Sequence, residues 1–478
     1  MILRGGIAAG FGYVVRFGAR LLFLFVAARL FGVALFGAFS LAVAAVELAV
    51  AIGGLGMKRY LFKLLDERPD GRAPAHVLID AALLVSGASL LLAALIAGGA
   101  LLVPEPLLAR STATALVLIA PMVAGQALLD LMLAATRWRH RMRYEVAARS
   151  LVEPYAGILA ALAAWWAGIG EIGLVLSYWA GTLAALAYAG HGARRALGGL
   201  KLRRYRPGIR RLRAILAATS LPTMTDGAAA LLGRLDLYLV GLLLGEAPAG
   251  IYNMARQMRT PIRQVRQSLD GLLTPILART LTTRGPVQAG AATASAARLI
   301  LAIQLPMVIG LAAIGLPVLG WFGPEFAAGY AAMVILAAAE AMQGAFGVSE
   351  LILLYRRPST VLWIAAAGAA ANVAVAWLLV DRFGLDGVAL AVLIAVALAA
   401  LLRRYALRRR FGIVVPAGHS AGPVMAAIVA AGAAWIVHEA SAQPVLVLAA
   451  ALAVYALILK FWLAASGETL AFQHLDPS

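Results

Sequence analysis

Residues 255–271 read ARQMRTPIRQVRQSLDG and place Arg256, Arg259, Arg263, Arg266 and Asp270 between long apolar stretches. On an α-helix these five fall at about 0°, 300°, 340°, 280° and 320°, a stripe about 80° wide. The arginines run about 15 Å along the axis. Guanidinium groups are planar forks that match the paired oxygens of carboxylate and, above all, phosphate. Charge at membrane depth is costly unless it faces protein or water. The stripe is therefore expected to line an internal cavity suited to a bulky anion. Pro261 lies inside it and is expected to kink the helix, because its ring removes a backbone donor.

Other charges are candidates for the same cavity. Arg16 and Arg20 are one turn apart on one face of the first apolar segment. Glu47 lies in the second segment, and Asp226, Arg234 and Asp236 in the seventh. Glu47, Asp226, Asp236 and Asp270 could couple a proton or sodium ion. Asp130, Glu153, Glu340, Glu350 and Asn372 also lie in or near helices, and any acid among them could do so too, but helix packing is the preferred reading for each. Three plainer readings compete for the stripe. Its arginines could only pair with Asp226, Asp236 and Asp270. Its helix could lie flat at the membrane surface. It could sense voltage, although no pore-loop signature accompanies it. The six histidines show no ligand spacing, and no phosphate loop, nucleophile elbow or zinc motif occurs. No metal, cofactor or bond-breaking chemistry is expected.

The elements that hold these residues follow from composition. The chain has 478 residues, 63% of them hydrophobic and 13% charged, with no cysteine. Disulfides, thiolate chemistry and Cys-bound metal are excluded. Apolar blocks of roughly 20 residues read as transmembrane helices, and lipid leaves helices as the sensible architecture. The blocks are continuous, which excludes an alternating β-barrel pattern. The first block is too long for a signal core and lacks a cleavage site. About fourteen spans are expected, near 8–31, 35–57, 76–103, 111–136, 146–168, 172–191, 212–244, 248–279, 297–320, 327–355, 359–381, 385–408, 421–439 and 444–465.

Charge gives orientation. About 29 of the 41 Lys and Arg fall in alternate breaks, starting with the N-terminus, which predicts both termini cytoplasmic. The net charge of +19 is read as this positive-inside signature, not as nucleic-acid binding. The alternation requires the arginine-bearing segment to span. The basic stretch 191–213 is read as a linker that can also touch anionic lipid. On either side, "GVALFGAF" (Gly32, Gly37, Phe39) and "GEAPAGIY" (Gly245, Gly250, Tyr252) share the pattern G-x-x-x-x-G-x-aromatic, about 213 residues apart. That spacing predicts two six-helix lobes as parallel repeats, the arrangement of alternating-access transporters, with a cationic cavity between them. The expected divisions are 1–200, 201–410 and 411–478, the last holding two extra helices and a short cytoplasmic tail.

The segment "AARLFGVALFGAFSLAVAAVELAVAIGGLGMKRYLFK" resembles helices 1–2 of the oligosaccharide and polysaccharide flippase branch of the multidrug/oligosaccharidyl-lipid/polysaccharide exporter superfamily. The residues carrying it are Ala28, Arg29, Leu30, Gly32, Gly37, Phe39 and Gly53-Gly54-Leu55-Gly56. "LLGRLDLYLVGLLLGEAPAGIYNMARQM" resembles that family's helix 7–8 junction, and "FGLDGVALA" (383–391) its helix 11–12 turn. The resemblance covers the layout of the whole chain. It implies flipping of polyprenyl-pyrophosphate-linked oligosaccharides across a bacterial inner membrane, with a cationic cavity taking the pyrophosphate. It also implies exopolysaccharide, capsule or O-antigen synthesis, with a polymerase or export complex as partner. Carried over, it makes Arg16, Arg20, Arg256, Arg259 and Arg263 cavity cations. The stripe here is unusually dense, which could reflect an acidic sugar. A multidrug-extrusion cation antiporter is the alternative, but it calls for an acidic cavity. A membrane glycosyl polymerase or ligase would need a large outer loop, and the breaks are short.

Overall fold

A computed structural model describes residues 2–67, 73–104, 108–198, 205, 208–416, 418–441 and 443–466. Eighteen α-helices and no strand occur among the described residues. All-helical folding is what a hydrocarbon solvent demands, since each backbone donor then finds its acceptor within its own segment.

The chain forms two compact units, Met1–Gly250 and Ile251–Ser478. The first holds α1 (Ile2–Gly53), α2 (Met57–Glu67), α3 (Pro74–Leu102), α4 (Arg110–Ile119), α5 (Met122–Trp138), α6 (Arg143–Ala147), α7 (Glu153–Trp166), α8 (Gly173–Ala196), α9 (Ile209–Leu232), α10 (Leu235–Leu244) and the start of α11 (Glu246–Met258). The second holds the rest of α11, then α12 (Thr260–Thr283), α13 (Gly285–Phe322), α14 (Tyr330–Phe346), α15 (Val348–Arg356), α16 (Pro358–Phe411), α17 (Ala421–Ser441) and α18 (Pro444–Ser466). The packing unit extends past residue 200 because α9 and α10 lie along α1. The Tyr238 hydroxyl of α10 donates to the Ala44 carbonyl of α1 at 2.7 Å, and Arg59 of α2 pairs with Asp226 of α9 at 2.8 Å. A lobe division at 200 and 410 is a proposal about the repeat.

Two helices are too long to cross once. At 1.5 Å per residue, 52 residues of α1 and 54 of α16 would each run about 80 Å, against a bilayer core of about 30 Å. Each is broken by a glycine outside helical geometry, Gly32 (φ 78°, ψ 170°) and Gly384 (φ 52°, ψ −125°). These are the expected breaks after the first and eleventh segments, and positive φ explains why glycine stands there. Both helices double back. The Phe23 and Phe39 rings meet at 6.3 Å, and Arg410 Nη1 donates to Thr360 Oγ1 at 3.3 Å.

Among the described residues ten helices are long and apolar enough to cross a membrane, or eleven with the bent pair α4–α5 taken as one span. Each doubled-back helix is counted once among these. The stretch Glu246–Thr283 is not among them, because its arginines lower its hydropathy, so a count of fourteen depends on admitting it. Boundaries differ in places from the sequence reading. Residues 285–296, read as a break, extend α13, and the span 327–355 is interrupted at Gly347. Five alanines in 285–296 favour helix and Pro286 suits its first turn, neither of which a hydropathy window registers.

The repeat glycines are spatial as well as sequential. Gly32 and Gly245 both have positive φ, at 78° and 91°. Gly37 and Gly250 lie against each other, and a Cβ on Gly250 would stand 2.6 Å from the Val33 carbonyl oxygen and 3.0 Å from the Gly37 nitrogen. Backbone on both sides leaves nothing that can yield. Gly250→Ala is expected to cost about 1–3 kcal/mol by overpacking, seen as a lower unfolding temperature of the purified protein. An unchanged temperature would show that this crossing can relax.

Candidate functional site

The arginine stripe is interrupted where the sequence places its kink. α11 ends at Met258 and α12 begins at Thr260, with Pro261 in its first turn. Arg259 is buried at the break, 6% exposed, and Arg256 is half-buried one turn earlier.

Within the second unit Arg259, Arg263 and Arg266 meet α14 and the turn at Gly347 that follows it. Arg263 forks onto Glu340, Nε to Oε1 at 3.1 Å and Nη2 to Oε2 at 2.8 Å. Arg259 Nε lies 3.8 Å from the same carboxylate. Arg266 donates to the Gln343 and Gly347 carbonyls at 3.0 and 3.3 Å, and its Nε is 3.5 Å from Asp270. Arg403 donates to Gln343 Oε1 at 3.3 Å and pairs with Glu350 at 2.9 Å. Glu340 is therefore the anchor of the stripe, a role the sequence reading assigned to plain packing. The reason is positional: α14 is 77 residues from Arg263, beyond any local pattern. The Arg263 side chain remains 43% exposed while forked, so the group is reachable from outside its pair.

The expected acidic partners are placed differently. Asp226 pairs with Arg59, and the buried Asp236 accepts the Leu237 N–H at 3.0 Å in the first turn of α10. Glu47 pairs with Arg234. Of the three acids expected to balance the stripe, Asp270 does so at Arg266. Arg16 and Arg20 are exposed on α1.

The first unit contains a second ionic cluster, mostly missed in the sequence. A π-helical turn, Ala148–Val152, joins α6 to α7 and turns Arg149 inward. Such turns are rare and recur at functional sites. Arg149 Nη1 donates to Gln126 Oε1 at 3.0 Å and to Glu153 Oε2 at 2.8 Å, and Nη2 to Asp130 Oδ1 at 2.5 Å. Lys58 holds the other Asp130 oxygen at 2.6 Å, and Gln126 Nε2 bridges Glu153 and Thr182 at 2.9 Å each. With Glu47, Arg234 and Tyr178 these groups line a pocket of about 430 Å³. Three carboxylates face three cations, so the pocket is nearly neutral. The sequence signal was two pairs at i,i+4 spacing, Gln126/Asp130 and Arg149/Glu153, each on one helix face. Glu246, at the start of α11, takes the Ser111 hydroxyl at 2.5 Å, the Thr112 N–H at 2.8 Å and the Thr112 hydroxyl. A carboxylate there complements the N-terminus of α4.

Many apolar spans, glycine-broken hairpins and ion clusters buried among the helices define a polytopic helical membrane protein built to handle charge at depth. The chain belongs to the polysaccharide biosynthesis protein family, whose pattern matches residues 2–281, more than half its length. No curated protein matches it in sequence. Among solved structures it is similar to "Lipid II flippase MurJ, inward closed conformation", with TM-score 0.75 and 14% identity over 96% of this chain and 100% of that one. It is similar to an inward-facing multidrug resistance MATE family transporter of the MOP superfamily, with TM-score 0.66 and 15% identity over 84% and 98%. It is also similar to a MOP superfamily transporter from Pyrococcus furiosus Vc1 with a binding pocket of reverse polarity, at TM-score 0.55 and 15% identity over 84% and 93%. At such identities the likeness is one of fold.

Proposed function

We propose that the protein is a flippase for polyprenyl-pyrophosphate-linked oligosaccharide repeat units. It moves them from the cytoplasmic to the outer leaflet of a bacterial inner membrane by alternating access, for exopolysaccharide, capsule or O-antigen synthesis. The observation that carries this reading is the arginine cluster of the second unit in a chain of the polysaccharide biosynthesis family. Glu340 and Asp270 fix the guanidinium groups in place. The pyrophosphate adds strong acceptors for their remaining N–H donors, and the polyprenyl chain stays in the bilayer. Arg256, Arg259, Arg263 and Arg266 are the headgroup cations of this reading, with Arg234, Arg16 and Arg20 as further candidates. Glu47, Asp226, Asp236 and Asp270 are candidates for ion coupling. Both termini face the cytoplasm, a polymerase or export complex takes the product, and no bond is broken in transit. The fold shared with a lipid II flippase supports the reading.

The test is binding of a polyprenyl pyrophosphate to purified protein. Removing Arg259 and Arg263 alone would strand the buried Glu340, so the informative variants are Arg256→Ala and Arg259→Ala/Arg263→Ala/Glu340→Gln. Each is expected to weaken binding roughly 10- to 100-fold, the worth of hydrogen bonds to a charged group. Unchanged binding in both would return the arginines to a structural role. A cationic drug held through Glu47, Asp130 or Glu153 would then favour the extrusion antiporter.

A further inference from the structure

The two halves of α16 leave a separate pocket of about 410 Å³ at their shared end, away from the arginine stripe. Its floor is Ile364, Leu402 and Ala406, and its rim is Ser359, Thr360, Trp363, Tyr405, Arg409 and Arg410. Three observations converge on it. Its charged lining is two exposed arginines and no carboxylate, and among the described residues no acid pairs with either. Arg410 Nη1 donates to Thr360 Oγ1 at 3.3 Å across the two halves of α16, which holds one guanidinium at the pocket rim beside the Ser359 hydroxyl. Trp363 and Tyr405 are 77% and 61% exposed although they belong to an apolar helical hairpin.

The apolar face beside the pocket gives its depth. Leu362, Trp377, Leu378 and Leu401 are exposed at 59%, 63%, 73% and 66%, as lipid-facing residues would be. Trp363 stands in the second turn of α16 and Arg408, Arg409 and Arg410 in its last turn, so aromatic and basic residues meet at this end of the hairpin, the combination that marks a membrane–water interface. The pocket therefore lies at headgroup level, with acyl chains passing along α16. The ionic pocket of the first unit is balanced and self-paired. This one presents positive charge, hydroxyls and an aromatic lip with no internal counter-ion.

We propose that this pocket binds the phosphate diester of an anionic glycerophospholipid of the bilayer. Arg409 and Arg410 meet the phosphate beside the Ser359 hydroxyl. Trp363 and Tyr405 flank the glycerol backbone.

The experiment is native mass spectrometry of the full chain, titrated in detergent with phosphatidylglycerol, phosphatidylcholine or inorganic phosphate. Wild type is expected to retain phosphatidylglycerol preferentially. Arg409→Gln/Arg410→Gln should bind it about 30-fold more weakly, from about fivefold per arginine. Arg409→Lys/Arg410→Lys should lose less, because charge is kept. Inorganic phosphate at the same concentration should not displace the lipid. Equal retention of phosphatidylglycerol by the glutamine variant would overturn the assignment. So would equal retention of phosphatidylcholine, or displacement by inorganic phosphate, which would mark a site for free anions. Should the glutamine variant fail to purify, Trp363→Leu gives the answer. It is expected to weaken phosphatidylglycerol retention at least threefold, and unchanged retention would overturn the assignment.

Discussion

Arg149→Met should destabilise the first unit by about 1–3 kcal/mol, because the cluster is partly buried, with side chains 16–24% exposed, and a one-sided break there costs less than in a dry interior. Arg149 holds Asp130, Glu153 and Gln126 at once, so its loss leaves Asp130 with Lys58 and Glu153 with Gln126. Much of the cost is the charge left behind, not the contact removed. A second substitution that removes that charge should therefore recover stability. Arg149→Met/Glu153→Gln is expected to unfold at a temperature close to wild type, measured on detergent-purified protein. Arg149→Lys should fall between, since its donors sit on a single nitrogen and cannot span acceptors that Arg149 reaches with Nη1 and Nη2. A single mutant as stable as wild type would mean that water reaches the cluster and screens it. If the double variant folds but no longer supports polymer export, the network is more than a brace. Its place around a π-helical turn makes that the expected outcome, because such turns recur at functional sites.

The second large effect is at Glu340. Arg259→Ala/Arg263→Ala removes both cations within 4 Å of a carboxylate whose side chain is 9% exposed. We expect a loss of about 3–5 kcal/mol and a marked fall in the amount of folded protein recovered from membranes. Adding Glu340→Gln should restore recovery, because an amide tolerates the site without a counter-ion. Transport should not return with it. That split between recovered folding and lost export distinguishes a headgroup site from a structural salt bridge. Full export by the triple variant would leave the arginines as packing elements only. Recovery left low by Glu340→Gln would show that the arginines are needed for more than balancing this carboxylate.

Several features were legible because they are local. Apolar runs of span length required helices, since no other open segment satisfies its backbone in lipid. Breaks at Gly32 and Gly384 could be read from hydropathy and glycine, and both glycines prove to hold positive φ. The kink before Pro261 could be read from the missing N–H of proline. The arginine stripe followed from helical periodicity, and the family resemblance from short motifs around Gly32, Gly245 and Gly384.

What the sequence could not supply was the identity of partners across the fold. Helical spacing puts Arg256, Arg259, Arg263 and Arg266 on one face, but says nothing of what packs against that face. Tertiary structure made Glu340 the anchor of Arg263, 77 residues away, and gave Asp226 to Arg59, 167 residues away. It also turned two unremarked i,i+4 pairs into one cluster around Arg149. A polar side chain in a membrane helix must find a partner, and that obligation is written in the sequence. Which partner it finds depends on how helices cross. Close approaches such as that of Gly37 to Gly250 set the crossings, so the pairing belongs to the packed structure alone.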